Sequence, residues 1–157
     1  MTMTTLYETE ITVDDNLPLV RITREFDAPP EKVFRAHTDP ELVARWLGPR
    51  RHEMRIDHFD CRTGGAYRIT LSGEDMEGSV HGSFHDVLPN ELIVQTFTPD
   101  GAPDLVILEK HRFEDLGDGR TRLTATSLVD KFEYRDSFIS AGLAEGYDKL
   151  ERLLEDL

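Results

Sequence analysis

Two residues of this chain have the types and spacing for acid–base work: Glu109 and His111, in the stretch DLVILEKHRF. If Phe113 at its end faces a core, strand alternation puts Leu105, Ile107, Glu109 and His111 on the same side. A carboxyl and an imidazole two residues apart on an inward face have neighbouring side chains. Both then need partners, because an unpaired buried carboxylate is costly. Such a pair is a polar anchor in an apolar pocket or, with a tyrosine such as Tyr67, a general acid/base for an aldol-type cyclisation. A bulge would reverse the parity, turning both residues to water and Lys110 inward. Alternation alone leaves both arrangements open.

Other reactive side chains point elsewhere. His81 and His85 have the His-x-x-x-His spacing that chelates a metal on a helix. On a strand they lie about 13 Å apart, too far to share an ion bound at about 2.0–2.1 Å. Their stretch, SVHGSFHDV, reads as a strand, with Val80 and Phe84 on the other face. Cys61 has no CxxC partner, and Asp60 beside it raises the thiol pKa, so a structural thiol is expected. No GxSxG, HExxH, Walker A or dinucleotide fingerprint is present. Arg45, Arg50, Arg51, His52 and Arg55 form one basic cluster that could draw an anionic head group to a pocket mouth or simply be solvated. Trp46, the single tryptophan, could stack on a ligand or seal the core.

The elements that position these residues follow from period and punctuation. After Pro18, LVRITREF alternates, with Val20, Ile22 and Phe26 on one face. Ala28-Pro29-Pro30 ends it, and a short helix buries Val33, Phe34 and His37. Asp39-Pro40-Glu41 opens a second helix carrying Leu42 and Trp46, stopped by Gly48-Pro49. From His52 to Ser127 the period is two. Strands HEMRIDHFD (Met54, Ile56 and His58 on one face), AYRITL (Tyr67, Ile69, Leu71), SVHGSFHDV, ELIVQTFT, DLVILEKHRF and RTRLTATSL are separated by turns about 10 to 15 residues apart. That spacing favours an antiparallel meander.

The stretch DSFISAGLAEGYDKLERLLEDL, from Asp136 to Leu157, then repeats apolar residues at helical spacing over an arc of about 140°. Asp136 or Ser137 is the expected N-cap. Glu145, Asp148, Glu151, Arg152 and Glu155 mark its wet side. Gly142 and Gly146 on the buried side cost roughly 1 kcal/mol each against alanine, which implies a close approach to the backbone by a sheet or a bound molecule.

Composition bounds the function. The 157 residues suit one domain, with 38% hydrophobic and 31% charged residues, as in a soluble globular protein. Residues 1–17 read as an acidic leader, disordered in part, and 18–157 as the domain. A net charge of −13 argues against nucleic acid and anionic membrane surfaces. One cysteine cannot form an internal disulfide, and the N-terminal stretch has no signal-peptide pattern, so a cytoplasmic location is expected.

The pieces REFDAPPEKVFRAHTDPELVARWLGP, DCRTGGAYR, GSFHDVLPNELIVQTF, GDGRTRLT and YRDSFISAGLAEGYDKLERLLEDL occur in that order. They resemble the START-like (SRPBCC) superfamily and, within it, the family named after the activator of heat-shock protein 90 ATPase. The resemblance spans nearly all of Leu19 to Leu157. It implies an α+β helix-grip fold like that of the birch-pollen allergen. In such a fold a curved antiparallel sheet of about six to seven strands wraps a long C-terminal helix, and two short helices follow the first strand. Members of the superfamily include carriers of hydrophobic ligands, polyketide cyclases and aromatases, and the chaperone-binding domain that names the family.

Three readings follow: a non-enzymatic module binding a small apolar or amphipathic ligand; a cyclase- or aromatase-like enzyme using Glu109 and His111; and a stress-related partner of a chaperone. The expected cavity is lined by Trp46, Tyr67, Ile69, Phe84, Ile107, Glu109, His111 and Phe113, with Phe138, Gly142, Leu143 and Gly146 as its floor. No metal or cofactor is expected, and the protein is read as a monomer or homodimer.

Overall fold

The computed structural model describes residues 8–48, 50–74, 77–139 and 143–157, with side chains for all of these except 136–139 and 143. Its centre is one eight-stranded sheet. The strands are β1 (Glu10–Val13), β2 (Leu19–Phe26), β3 (Glu53–Phe59), β4 (Ala66–Ser72), β5 (Glu77–Leu88), β6 (Leu92–Pro99), β7 (Ile107–Gly117) and β8 (Arg120–Leu128). They lie in the order β1-β2-β8-β7-β6-β5-β4-β3, and every neighbouring pair is antiparallel. The six to seven expected strands become eight because Glu10–Val13, inside the stretch read as a leader, pairs with β2 at the sheet edge.

Four helices complete the chain: α1 (Pro30–Thr38), α2 (Pro40–Trp46), α3 (Phe132–Ile139) and α4 (Leu143–Glu155). The first two follow their sequence signals. Pro30 and Pro40 each sit in a first turn, and the Asp39 carboxylate accepts the Glu41 N–H at 3.0 Å. The expected N-cap at Asp136 or Ser137 is displaced, because helix begins at Phe132, with Lys131 carbonyl oxygen accepting from Tyr134 and Arg135. Cap-favouring residues there are overridden by the helix-compatible FEYR ahead of them.

The sheet curves around α4, whose Tyr147, Leu150, Leu153 and Leu154 belong to one buried core cluster with Val20, Ile22, Phe26, Leu123 and Ala125 of β2 and β8, Tyr147 lying 6.4 Å from Phe26 between ring centroids. The strands contribute alternate residues, so the inner face is largely apolar. Burying a leucine such as Leu150 is worth about 1.5–3 kcal/mol. The grip of sheet on helix therefore rests largely on these contacts.

Two departures from simple alternation matter. A bulge between Ile56 and His58 shifts β3, so His58 is exposed and Phe59 turns inward. The expected inward His58 is thus corrected. Secondly, Arg24 shares the inner face with Val20, Ile22 and Phe26 and is only 1% exposed. Its guanidinium meets Asp148 at 2.6 Å and Glu151 at 3.1 Å, and donates to Thr9 Oγ1 at 2.8 Å. Part of the supposedly wet side of α4 is therefore occupied by an ion cluster, since a charge buried this deeply needs opposite partners.

Candidate functional site: a cavity between sheet and C-terminal helix

A cavity of about 430 Å³ lies on the inner face of the sheet, bounded by β3 to β7 and by residues of α1, α2, α3 and α4. Most of its wall is carbon: Trp46, Met54, Phe59, Tyr67, Ile69, Phe84, Phe97, Leu105, Ile107 and Tyr147 all contribute. Phe59, Tyr67 and Phe84 form a mutually packed aromatic group, with centroids 5.3 to 6.3 Å apart. A concave, mainly apolar space of this size with a few polar groups is the usual form of a small-molecule site.

The polar groups converge at β6, β7 and α1. Strand alternation through Ile107, Glu109, His111 and Phe113 is unbroken, the register shift in β7 falling later, between Asp115 and Gly117. Glu109 and His111 therefore both line the cavity, as the inward parity predicts. Register supplies Glu109 with partners: Gln95 lies opposite on β6 and Ser127 on β8. Gln95 Nε2 donates to Glu109 Oε1 at 3.0 Å, and Ser127 Oγ to Oε2 at 3.4 Å. Burial raises the Glu109 pKa to about 7, against the downward pull of those two donors.

Two imidazoles adjoin it. His37 from α1 and His111 from β7 have ring centroids 5.8 Å apart. Burial lowers His37 to about 4, opposed by its bond to the Val33 carbonyl; burial and then the nearby His37 lower His111 to about 3. Both rings are neutral at neutral pH. His37 Nδ1 lies 2.8 Å from that carbonyl, whereas His37 Nε2 and His111 Nδ1 are buried without a protein partner.

Tyr67 has a different duty from an acid or base. It lies opposite Gly82 in the ladder, and its hydroxyl donates to the Thr96 carbonyl at 2.5 Å. Ser83 N–H takes Thr96 Oγ1 instead, so the β5–β6 ladder opens here to admit the phenol. Only glycine fits beneath the ring: a Cβ at Gly82 would stand 1.9 Å from Thr96 oxygen and 2.7 Å from Tyr67. Burial, followed by the Glu109 charge, raises the Tyr67 pKa.

The remaining sequence candidates divide. Trp46 lines the cavity and also seals it, being 4% exposed, stacked on Tyr147 at 5.9 Å and donating from Nε1 to Ala36 oxygen at 2.8 Å. Ile69, Phe84, Ile107 and Gly146 are in the wall. Phe113 is not; it packs behind the wall, edge-on to Phe34 at 5.3 Å and His37 at 5.0 Å. Gly142 and the side chains of Phe138 and Leu143 lie outside the described residues. What comes close to Gly146 in the protein is not a strand but the Trp46–Gly48 backbone, with Trp46 oxygen 3.4 Å from a notional Cβ.

Away from the cavity, His81 lies on β5 with Nδ1 3.2 Å from Asp100, and His85 is exposed on the same strand. Cys61 is half-buried, and burial, then Asp60, raises its pKa to about 11. Within the basic cluster, Arg55 pairs with Asp57 at 2.8 Å, and the Arg50 N–H donates to Glu145 at 2.8 Å. Sequence reasoning did not place His37, Gln95, Tyr147 or Phe59 in the site. Gln95 was recoverable only with strand register, and Phe59 only with the bulge.

Comparison with known proteins agrees with this architecture. Protein CV1439 from Chromobacterium violaceum is similar at 25% identity and a TM-score of 0.80, over 88% of this chain and 97% of that one. A Rhodobacter sphaeroides protein gives 24% and 0.82, over 96% and 100%. CalU16 from Micromonospora echinospora gives 19% and 0.67, over 96% and 87%. No curated protein matches the chain. No described helix is long and apolar enough to cross a membrane. The model of the Activator of Hsp90 ATPase homolog 1-like protein family matches residues 27–155. With that match over β3 to β8, the short helices and the terminal helix, the chain belongs to the Activator of Hsp90 ATPase homolog 1-like family, on the START-like fold.

Proposed function

We propose that this protein is a binding module that encloses a small apolar or amphipathic molecule between sheet and C-terminal helix, without catalysing its conversion. The observation that carries the reading is the aromatic-walled cavity of about 430 Å³. Protein interiors are normally packed close to crystal density, so a space of this size is an exception. The test is thermal: the purified protein is heated with a panel of lipid-like and polyketide-like compounds. A ligand at about 100 times its Kd stabilises by about 2.7 kcal/mol, raising Tm by about 5–10 °C. Val80→Phe, which places a ring into the cavity wall, removes the shift. No compound shifting the wild type counts against the proposal.

A second reading, an enzyme of cyclase or aromatase type, draws on one observation: Glu109, with a pKa of about 7, shares a cavity with His111. Three features favour binding over it. His111 is too weak a base to hold a proton at neutral pH, the Tyr67 hydroxyl is engaged by Thr96, and Glu109 is held by Gln95 and Ser127. Product formation from a poly-β-keto substrate, lost in Glu109→Gln, would reverse that order.

A further inference from the structure

Resting on the ligand-binding reading, the open polar atoms of the cavity say what kind of ligand it takes. Gln95 stands opposite Phe84 in one ladder and opposite Glu109 in the next, so all three share the inner face. An ionised carboxylate only accepts, so the end of Gln95 that meets Glu109 Oε1 at 3.0 Å is its NH2 group. The other end, Oε1, is an acceptor without a tie to Glu109. Tyr147 enters from α4, its ring stacked on Trp46. Neither Gln95 Oε1 nor Tyr147 Oη makes a hydrogen bond among the described residues, and neither is among the partnerless atoms sealed from water. Both therefore open onto free space, and both residues line the cavity.

Beside Gln95 lies Glu109, the one carboxyl group among the described lining residues, with 9% of its surface exposed. Gln95 and Ser127 occupy two of its roughly four lone-pair sites, which leaves room for further donors. Its charge reaches the hydroxyls of Tyr67 and Tyr147, whose pKa values rise with burial and then with that charge. His37 and His111 are neutral, and no lysine or arginine lines the cavity among the described residues. The charge facing this space is thus negative. A ligand carboxylate would meet Glu109 and the Gln95 oxygen, and neither attracts an anion. An alkylammonium meets a counter-ion, an amide oxygen and a phenol oxygen, all acceptors. Aromatic faces around it attract a desolvated cation as well. Pairing also offsets the burial that holds Glu109 near 7, because an ion pair is neutral as a whole.

We propose that the cavity takes amphipathic amines, the ammonium held by Glu109, Gln95 Oε1 and Tyr147 Oη and the apolar body lying among Phe59, Tyr67 and Phe84. The test titrates four probes that differ at the end of one side arm into the full chain by calorimetry. They are 2-ethylnaphthalene, 2-(2-naphthyl)ethanol, 2-(2-naphthyl)ethylamine and 2-naphthylacetate. At about pH 8 Glu109 is mostly ionised and an alkylamine is protonated. The amine is expected to bind about ten- to a hundredfold more tightly than the alcohol, with 2-naphthylacetate weakest. One hydrogen bond to a charged group is worth a factor of that order. Glu109→Gln, which keeps the shape and removes the charge, brings the amine to the affinity of the alcohol while 2-ethylnaphthalene binds as before.

Three results overturn the amine preference and leave the ligand-binding reading standing: an alcohol as tight as the amine, 2-naphthylacetate tighter than either, or an amine preference that survives Glu109→Gln. Failure of all four to bind overturns both. The wild-type series decides the matter even if Glu109→Gln does not fold.

Discussion

At the residue scale, the cavity holds two kinds of group that burial drives in opposite directions. Glu109 is held near 7 instead of 4.5, and His37 and His111 near 4 and 3 instead of 6.5. The folded state binds the Glu109 proton more tightly than the unfolded chain, so this group's contribution falls as pH rises from about 4.5 to 7. The histidines act the other way: their neutral forms are favoured by folding, so stability drops as pH falls below 6.5. Glu109→Gln should therefore stabilise relative to wild type by an amount that grows between pH 4.5 and 7, to an upper bound on the order of 3 kcal/mol. Urea titrations of both proteins across that range check it. A constant difference would show that Glu109 is solvated.

Much of this pair was legible in the sequence, since period two from Ile107 to Phe113 fixes which side chains travel together. The role of His37 was not. Its buried position could be read from helical spacing, but its tautomer depends on the Val33 carbonyl and its neighbours on β7, which only the tertiary fold supplies.

At the element scale, two contacts across the sheet carry more than their number suggests. Gly82 allows Tyr67 to cross β5 and reach Thr96. Gly82→Ala should cost about 1–3 kcal/mol, the usual penalty of overpacking, seen as a lower urea midpoint. Any gain in stability would mean that the ladder closes without the phenol. Arg24 ties β2 to α4 through Asp148 and Glu151. Arg24→Ala leaves Glu151 half-buried and unpaired, but Asp148 is 39% exposed and regains water. The expected loss is thus below the 3–5 kcal/mol of a fully buried pair, about 2–3 kcal/mol. Limited proteolysis should show the terminal helix cut sooner than in wild type. Turn residues and alternation gave the strands from β2 to β8 with small errors at the ends. β1 escaped because EITV is only four residues long and lies mostly exposed on an edge, stabilised by its pairing with β2. Arg24 escaped for the opposite reason: a charge in an alternating strand reads as outward until its partners on another element are known.

At the scale of the whole molecule, the fold follows from one requirement, that a long amphipathic helix bury its apolar stripe. The meander of antiparallel strands does so by curving, and a curved sheet cannot press every side chain onto the helix. The space left over, between β3 to β7 and α4, is the cavity. Sequence order alone made the architecture legible; the volume of the space was not, because it depends on where side chains such as Phe113 and Phe59 finally point.

The most direct test is native mass spectrometry of protein isolated gently from cells, wild type beside Val80→Phe. The account predicts a wild-type species heavier than the bare chain by one small organic molecule, shed on collisional activation, and a variant at its bare mass. Wild type at its bare mass, taking up none of the apolar probes when they are added, would contradict it.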